Sequence, residues 1–149
     1  MHDDIKLKQA NKLIWYGVFL LLLGLLTGFA IPAMANPRMG LSSHLEGTLN
    51  GMLLIIFGLV WPKLNLTGKP LKWGFGLALY GTFINWFTTL LAAVWGAGSE
   101  MMPLAGGGNQ GTDWQEIIIK FGLISLSLAI VSVCGILLWG LKNKAKEFS

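Results

Sequence analysis

The stretch Ser43-His44-Leu45-Glu46-Gly47-Thr48-Leu49-Asn50-Gly51 holds the chain's one histidine inside an apolar segment; the other, His2, stands among charged residues near the N-terminus and is a poor ligand candidate. Read as a helix, residues three, four and seven positions beyond His44 share its side, so Gly47, Thr48 and Gly51 form a face of small side chains beside the imidazole. A flat macrocycle such as haem could lie against that face, with a neutral imidazole below the iron. His44 is therefore the candidate metal ligand, and Gly47, Thr48 and Gly51 the candidate cofactor-binding residues. A second reading stays open beside this one. Gly47-x-x-x-Gly51 is the spacing that lets two membrane helices approach closely. Ser43 and Glu46 read as a capping box that starts a helix near residue 42. In that first turn the helix dipole disfavours imidazolium and leaves a nitrogen lone pair for a metal or a hydrogen bond.

Polar side chains that must sit in lipid are the next candidates, because each needs a partner there. Asn50 lies six residues past His44, about 120° round the helix from it and about 9 Å further along the axis. It either glues helices together or meets a ligand. Tyr80, Thr82, Asn85, Thr88 and Thr89 make the third apolar segment the polar one. Threonines can bond back to their own helix, whereas Tyr80 and Asn85 have no such local answer. Asn50, Tyr80 and Asn85 are thus the candidate catalytic residues, with Phe83, Trp86 and Phe87 available to flank an aromatic ring. The segment Gly106 to Thr112 has a glycine spacing like that of a phosphate-binding loop, but Thr112 stands where the lysine belongs and no strand precedes it. Nucleotide binding is rejected, leaving a lid or a connector.

The elements that position these groups follow from composition. Of 149 residues 54% are hydrophobic and only 12% charged, well below the roughly 25% charged of soluble domains. Apolar runs at about 13–34, 42–62, 71–96 and 115–141 each supply the roughly 20 residues needed to cross a hydrocarbon core of about 30 Å. The expected fold is an all-α polytopic membrane four-helix bundle forming a single domain over 1–149. The net charge of +4 reads as topology rather than affinity for nucleic acid. Nine of the eleven basic residues flank one side: Lys6, Lys8, Lys12, Lys63, Lys69, Lys72, Lys142, Lys144 and Lys146. Arg38 and Lys120 fall on the other, so the positive-inside rule places both termini in the cytoplasm and His44 toward the outer leaflet. The first twelve residues are expected to be a mobile tail. Six tryptophans, Trp15, Trp61, Trp73, Trp95, Trp114 and Trp139, fall near expected helix ends and suit the headgroup region; Trp86 is the exception. Ala33-Met34-Ala35 after the first run imitates a signal-peptide cleavage site, but the run exceeds the usual core of about 7–15 residues, which favours a retained helix. Asn36 to Gly40 is expected to be a turn. Helix four reads as scaffold, and Cys134, alone, as a packing residue.

Asn36-Pro37-Arg38-Met39-Gly40-Leu41-Ser42, His44-Leu45-Glu46-Gly47 with Asn50-Gly51, Leu79-Tyr80-Gly81-Thr82 with Asn85-Trp86, and Gly111-Thr112-Asp113-Trp114-Gln115-Glu116 together closely resemble the hydroxylaminobenzene mutases over nearly the whole chain. More remotely, His44, Asn50-Gly51, Asn85 and Gly108-Asn109-Gln110 resemble styrene oxide isomerase, a four-helix membrane enzyme that binds haem b and assembles as a trimer. The resemblance implies that His44 is the axial ligand of haem b and Asn50 an active-site asparagine, in a homo-oligomer of the bacterial inner membrane. The aspartate and tyrosine that the epoxide isomerase carries on its third helix do not transfer. Their nearest positions here are Gly81 or Tyr80, and Thr89. The implied activity is a redox-neutral rearrangement of a small aryl hydroxylamine to a 2-aminophenol, with iron as Lewis acid. The alternatives are an epoxide-to-aldehyde isomerase and a haem electron carrier. A small transporter is a fourth reading, weakened because the expected spans offer no acidic residue as a proton site.

Overall fold

The computed structural model describes residues 2–145, with side chains described for 4–142. Helix α1 runs His2–Ala30 and ends in a 3-10 turn at Ile31–Ala33, where Pro32 cannot continue the ladder. Helix α2 runs Pro37–Val60 and ends in a second turn, Trp61–Lys63; α3 is Gly68–Trp95, the one-turn α4 is Pro103–Gly106, and α5 is Asp113–Ala145. The four long helices contain spans long and apolar enough to cross a membrane: Asp4–Ala33, Pro37–Lys63, Gly68–Trp95 and Asp113–Lys142. Each helix starts earlier than its apolar run, because hydropathy marks the lipid-crossing part and not the polar turns that precede it.

Two expectations change at the helix starts. Residues 36–40 are not a free turn. Asn36 is the N-cap of α2, its Oδ1 accepting from the amides of Arg38 at 3.1 Å and Met39 at 3.2 Å, and Pro37 takes the first helical position, where its missing N–H costs nothing. Nor are the first twelve residues a loose tail: α1 begins at His2, the Lys6 ammonium donates to Leu64 O at 2.9 Å, and Gln9 Oε1 accepts from Trp61 Nε1 at 3.0 Å. The side chains of His2, Lys144 and Lys146 lie outside the described residues.

The long helices are arranged as a row in chain order. α1 packs on α2, α2 on α3 and α3 on α5, while α1 and α5 share little or no contact. The bundle is accordingly open rather than closed into a ring, and a smaller share of α1 and α5 is buried than of α2 and α3. The start of α1, the α2–α3 connection and the end of α5 share one end, where Asn65 N donates to Gly140 O at 3.1 Å. A cluster of Leu13, Leu54, Phe57, Trp61, Leu64, Leu71 and Val133 fills that end. Trp61 is fully buried there, unlike Trp15, Trp73, Trp114 and Trp139, which are exposed as headgroup tryptophans should be. Cys134 is also exposed and takes no part in the core.

The α1–α2 contact is built on glycine. A Cβ on Gly24 would lie 2.5 Å from Thr48 N and 2.6 Å from Gly47 C; one on Gly51 would lie 2.6 Å from Leu21 N. Gly17 and Gly58 are equally hemmed in by the facing backbone. At the other end Gly96 terminates α3 with φ 66°, a left-handed conformation open to glycine. The connection that follows is held at several points. Glu116 Oε1 accepts from the amides of Gly98 at 2.7 Å and Gly111 at 3.0 Å, while Oε2 is buried without a partner. Asn36 Nδ2 donates to Gly106 O at 2.9 Å, and Ser99 Oγ to Asn109 O.

Two outcomes follow from this packing. Gly24→Ala forces apart two backbones that cannot swing aside, at a cost of about 1–3 kcal/mol, and lowers the thermal unfolding midpoint in detergent by several degrees. Gly76→Ala, where a Cβ meets nothing within 4 Å, leaves it unchanged or raises it, since alanine is the better helix former by up to about 1 kcal/mol. Glu116→Ala removes two charge-assisted bonds of about 1.5–3 kcal/mol each. Limited proteolysis between residues 98 and 112 then speeds up by at least about tenfold, with Glu116→Gln intermediate because one acceptor oxygen remains.

Candidate functional site

His44 lies seven residues into α2, about 10 Å along the axis from Pro37, on the flank that meets α1. Its Nδ1 is 2.8 Å from Gly24 O. A carbonyl oxygen only accepts, so Nδ1 carries a hydrogen, and in the neutral ring the lone pair is then on Nε2. A backbone carbonyl on one ring nitrogen, fixing tautomer and ring orientation, is the usual support behind a metal-ligating histidine. Gly28 completes the seat: a Cβ there would stand 2.9 Å from Nδ1 and 3.2 Å from Cε1. The imidazole stays half-exposed. The donor chemistry at His44 therefore fits a haem iron.

The residues expected to cradle the macrocycle have other work. Gly47 and Gly51 face α1 so closely that no flat ligand fits between the helices, which is the helix-approach role of their spacing. Thr48 Oγ1 donates back to His44 O at 3.1 Å and Leu45 O at 2.9 Å. Of this stretch, His44 is the residue left as a candidate ligand.

A second group forms where α2 meets α3, and its centre is a residue that the sequence pattern disguised. Glu46 is no helix cap, because α2 begins nine residues earlier, and Ser43 does not cap either: its Oγ donates to Trp86 O at 3.2 Å. The Glu46 carboxylate instead receives two amides on Oε2, Asn50 Nδ2 at 2.9 Å and Asn85 Nδ2 at 2.6 Å. Asn50 Nδ2 also donates to Glu46 O at 2.8 Å. An ionised carboxylate within a membrane helix costs about 3 kcal/mol, and two charge-assisted bonds of about 1.5–3 kcal/mol each offset that. The span therefore does contain an acidic residue. What marks it in sequence is the i, i+4 spacing of Glu46 and Asn50 beyond a polar start, a signal that the capping pattern also satisfies.

Asn50 and Asn85 are thus brought together, as their polarity in an apolar setting suggested, and Tyr80 is set apart. Five residues separate Tyr80 from Asn85, about 140° round the helix. Tyr80 turns to α5, its hydroxyl 2.9 Å from Ser125 Oγ. With Tyr16, Phe19 and Phe83 it lines a groove of about 430 Å³ on the α1–α3 side. Trp86 ties three helices, donating from Nε1 to Thr27 Oγ1 at 3.0 Å while its ring lies against Gly47. Phe87 is exposed. Gly81 is packed on Ile130, and Thr89 bonds back to Asn85 O and Trp86 O, so neither of these two positions supplies an acidic or phenolic group, while Tyr80 beside Gly81 turns its phenol to Ser125.

Comparison with known proteins gives this arrangement a family. The styrene oxide isomerase family model matches residues 9–142. The chain is 58% identical over 134 residues to hydroxylaminobenzene mutase HabB of Ectopseudomonas oleovorans, covering 90% of this chain and 82% of that protein. It is 46% identical over 125 residues to hydroxylaminobenzene mutase HabA of the same organism, covering 84% and 93%. No solved structure matches. With a family model spanning nearly all four long helices and two mutases aligned over most of its length, the chain belongs to the styrene oxide isomerase family and is an isomerase.

Proposed function

We propose that the protein is a membrane haem b isomerase that rearranges aryl hydroxylamines such as hydroxylaminobenzene to 2-aminophenols. The observation that carries the activity is the 58% identity, over 90% of the chain, to a protein named hydroxylaminobenzene mutase. The cofactor reading is supported by His44, whose Nδ1 is committed to Gly24 O and whose Nε2 retains the lone pair a metal needs. In the net reaction the hydroxyl leaves nitrogen and bonds to the ortho carbon, while that carbon gives up a hydrogen and nitrogen gains one. Atoms balance and no electrons are exchanged. Haem iron, when bound, supplies a Lewis acid that weakens the N–O bond.

The chain's own residues orient the substrate. Asn50 and Asn85, anchored by Glu46, hold the polar end at the α2–α3 flank, and the aromatic side chains of α3 accommodate the ring. His44 and the amide pair lie on opposite flanks of α2, so a complete site joins surfaces of two copies in a homo-oligomer, a trimer by resemblance. The setting is the bacterial inner membrane with both termini in the cytoplasm. That orientation is supported by the lysines at the end shared by the start of α1, the α2–α3 connection and the end of α5, against Arg38 and Lys120 at the other. Epoxide isomerisation is the second reading, favoured by the family model. It is opposed by Gly81 or Tyr80, and Thr89, at the positions nearest that enzyme's aspartate and tyrosine.

Detergent-purified protein shows a Soret band and converts hydroxylaminobenzene to 2-aminophenol, but does not convert styrene oxide efficiently. His44→Ala loses the Soret band and at least about a hundredfold in turnover, the upper end of what even indirect disruption of a metal site costs. Colourless wild-type protein that is fully active overturns the cofactor; haem-replete wild-type protein that leaves hydroxylaminobenzene unchanged overturns the activity.

A further inference from the structure

We propose that Glu46 is a positioning residue that sets the hydrogen-bond polarity of the site, so that the amide pair offers more acceptors than donors and favours aryl compounds bearing an N–H or O–H over those that carry acceptors alone. The inference rests on the aryl hydroxylamine reading above and deepens it. Asn50 Nδ2 spends one hydrogen on Glu46 O at 2.8 Å and the other on Oε2 at 2.9 Å. What that side chain has left is its carbonyl oxygen, an acceptor only. Asn85 Nδ2 spends one of its two hydrogens on the same Oε2 at 2.6 Å, so the pair keeps one N–H donor against two carbonyl oxygens. The direction is dictated chemically: turning either amide round would set its oxygen against a carboxylate, two acceptors with no hydrogen between them.

Glu46 and Asn85 remain half-exposed while Asn50 is buried behind them, so the group is reached from outside the chain past Glu46 and Asn85. A hydroxylamine brings N–H and O–H donors to such a site, whereas an epoxide brings an acceptor oxygen and no donor. The carboxylate thus acts on substrate choice through the two asparagines. A carboxylate that merely glued α2 to α3 would leave the preference between donors and acceptors untouched.

The test measures binding of phenol, a donor, and anisole, an acceptor of the same ring, to the full-length holoprotein by calorimetry, which needs no turnover. Wild type binds phenol at least about tenfold more tightly than anisole, the equivalent of one good hydrogen bond. Glu46→Gln, which has its own N–H and frees the asparagines to turn, brings the ratio to about one and raises KM for hydroxylaminobenzene about tenfold, with the Soret band unchanged. A wild type that does not distinguish the two ligands, or a Glu46→Gln protein that keeps the wild-type ratio, overturns the proposal. Should the variant fail to fold, the wild-type ratio still decides. Failure of wild type to turn over hydroxylaminobenzene sinks the activity reading separately.

Discussion

The distance between α1 and α2 governs the rest. In lipid, apolar side chains gain nothing by meeting each other instead of acyl chains, so helices associate where their backbones come close enough for dense packing. Gly17 and Gly24 on one helix and Gly47, Gly51 and Gly58 on the other provide that approach, each against backbone or a packed side chain of the facing helix. The same approach carries Gly24 O to 2.8 Å from His44 Nδ1. A larger residue at Gly24 or Gly47 would move the carbonyl out of reach and release the ring. The small-residue seam and the oriented imidazole are therefore one device, and the seam's stability is what holds the tautomer.

A second economy sorts the polar side chains. Thr27, Thr82, Thr89, Ser127 and Ser132 all donate to carbonyls three or four residues back in their own helices and are satisfied without help. Others reach across: Ser43 and Trp86 link α2, α3 and α1, and Glu46 joins α2 to α3 through Asn85. The Glu46 carboxylate brings formal charge between α2 and α3, and it does so with two amide donors in place. Such a group costs more than any hydroxyl to retain in lipid.

Much of this could be read from sequence. Four spans, the seam spacing at Gly47 and Gly51, and the polar character of α3 that brings Asn85 to Asn50 all follow from residue type and periodicity. Glu46 was hidden because a serine followed three residues later by a glutamate satisfies the capping pattern, and only the true start of α2 at Pro37 removes that explanation. Asn36 was hidden for the converse reason. It looks like turn punctuation before proline, yet it caps α2 and also fastens Gly106 of the distant loop, a partner 70 residues away that no local pattern announces. Trp61 resembles the headgroup tryptophans in sequence position and differs from them only because α1 continues far enough for Gln9 to meet its indole. Tyr80 and Asn85 share a helix and a polarity, but their offset of about 140° sends them to different neighbours.

The placement of polar groups round α2 bears on what can act there. His44 and Glu46 are two positions apart, about 200° round the helix, and the arc between them is occupied by exposed Leu41, Leu45, Leu49 and Met52. One rim of this apolar stripe carries an imidazole turned by α1; the other carries a carboxylate-held amide pair turned by α3. The row arrangement of the helices leaves the stripe uncovered, since neither neighbour of α2 wraps round it. Chemistry that needs both rims must therefore take place on an outer face of the chain and not in an enclosed core. A ligand lying on such a face finds hydrogen-bonding groups only at its margins.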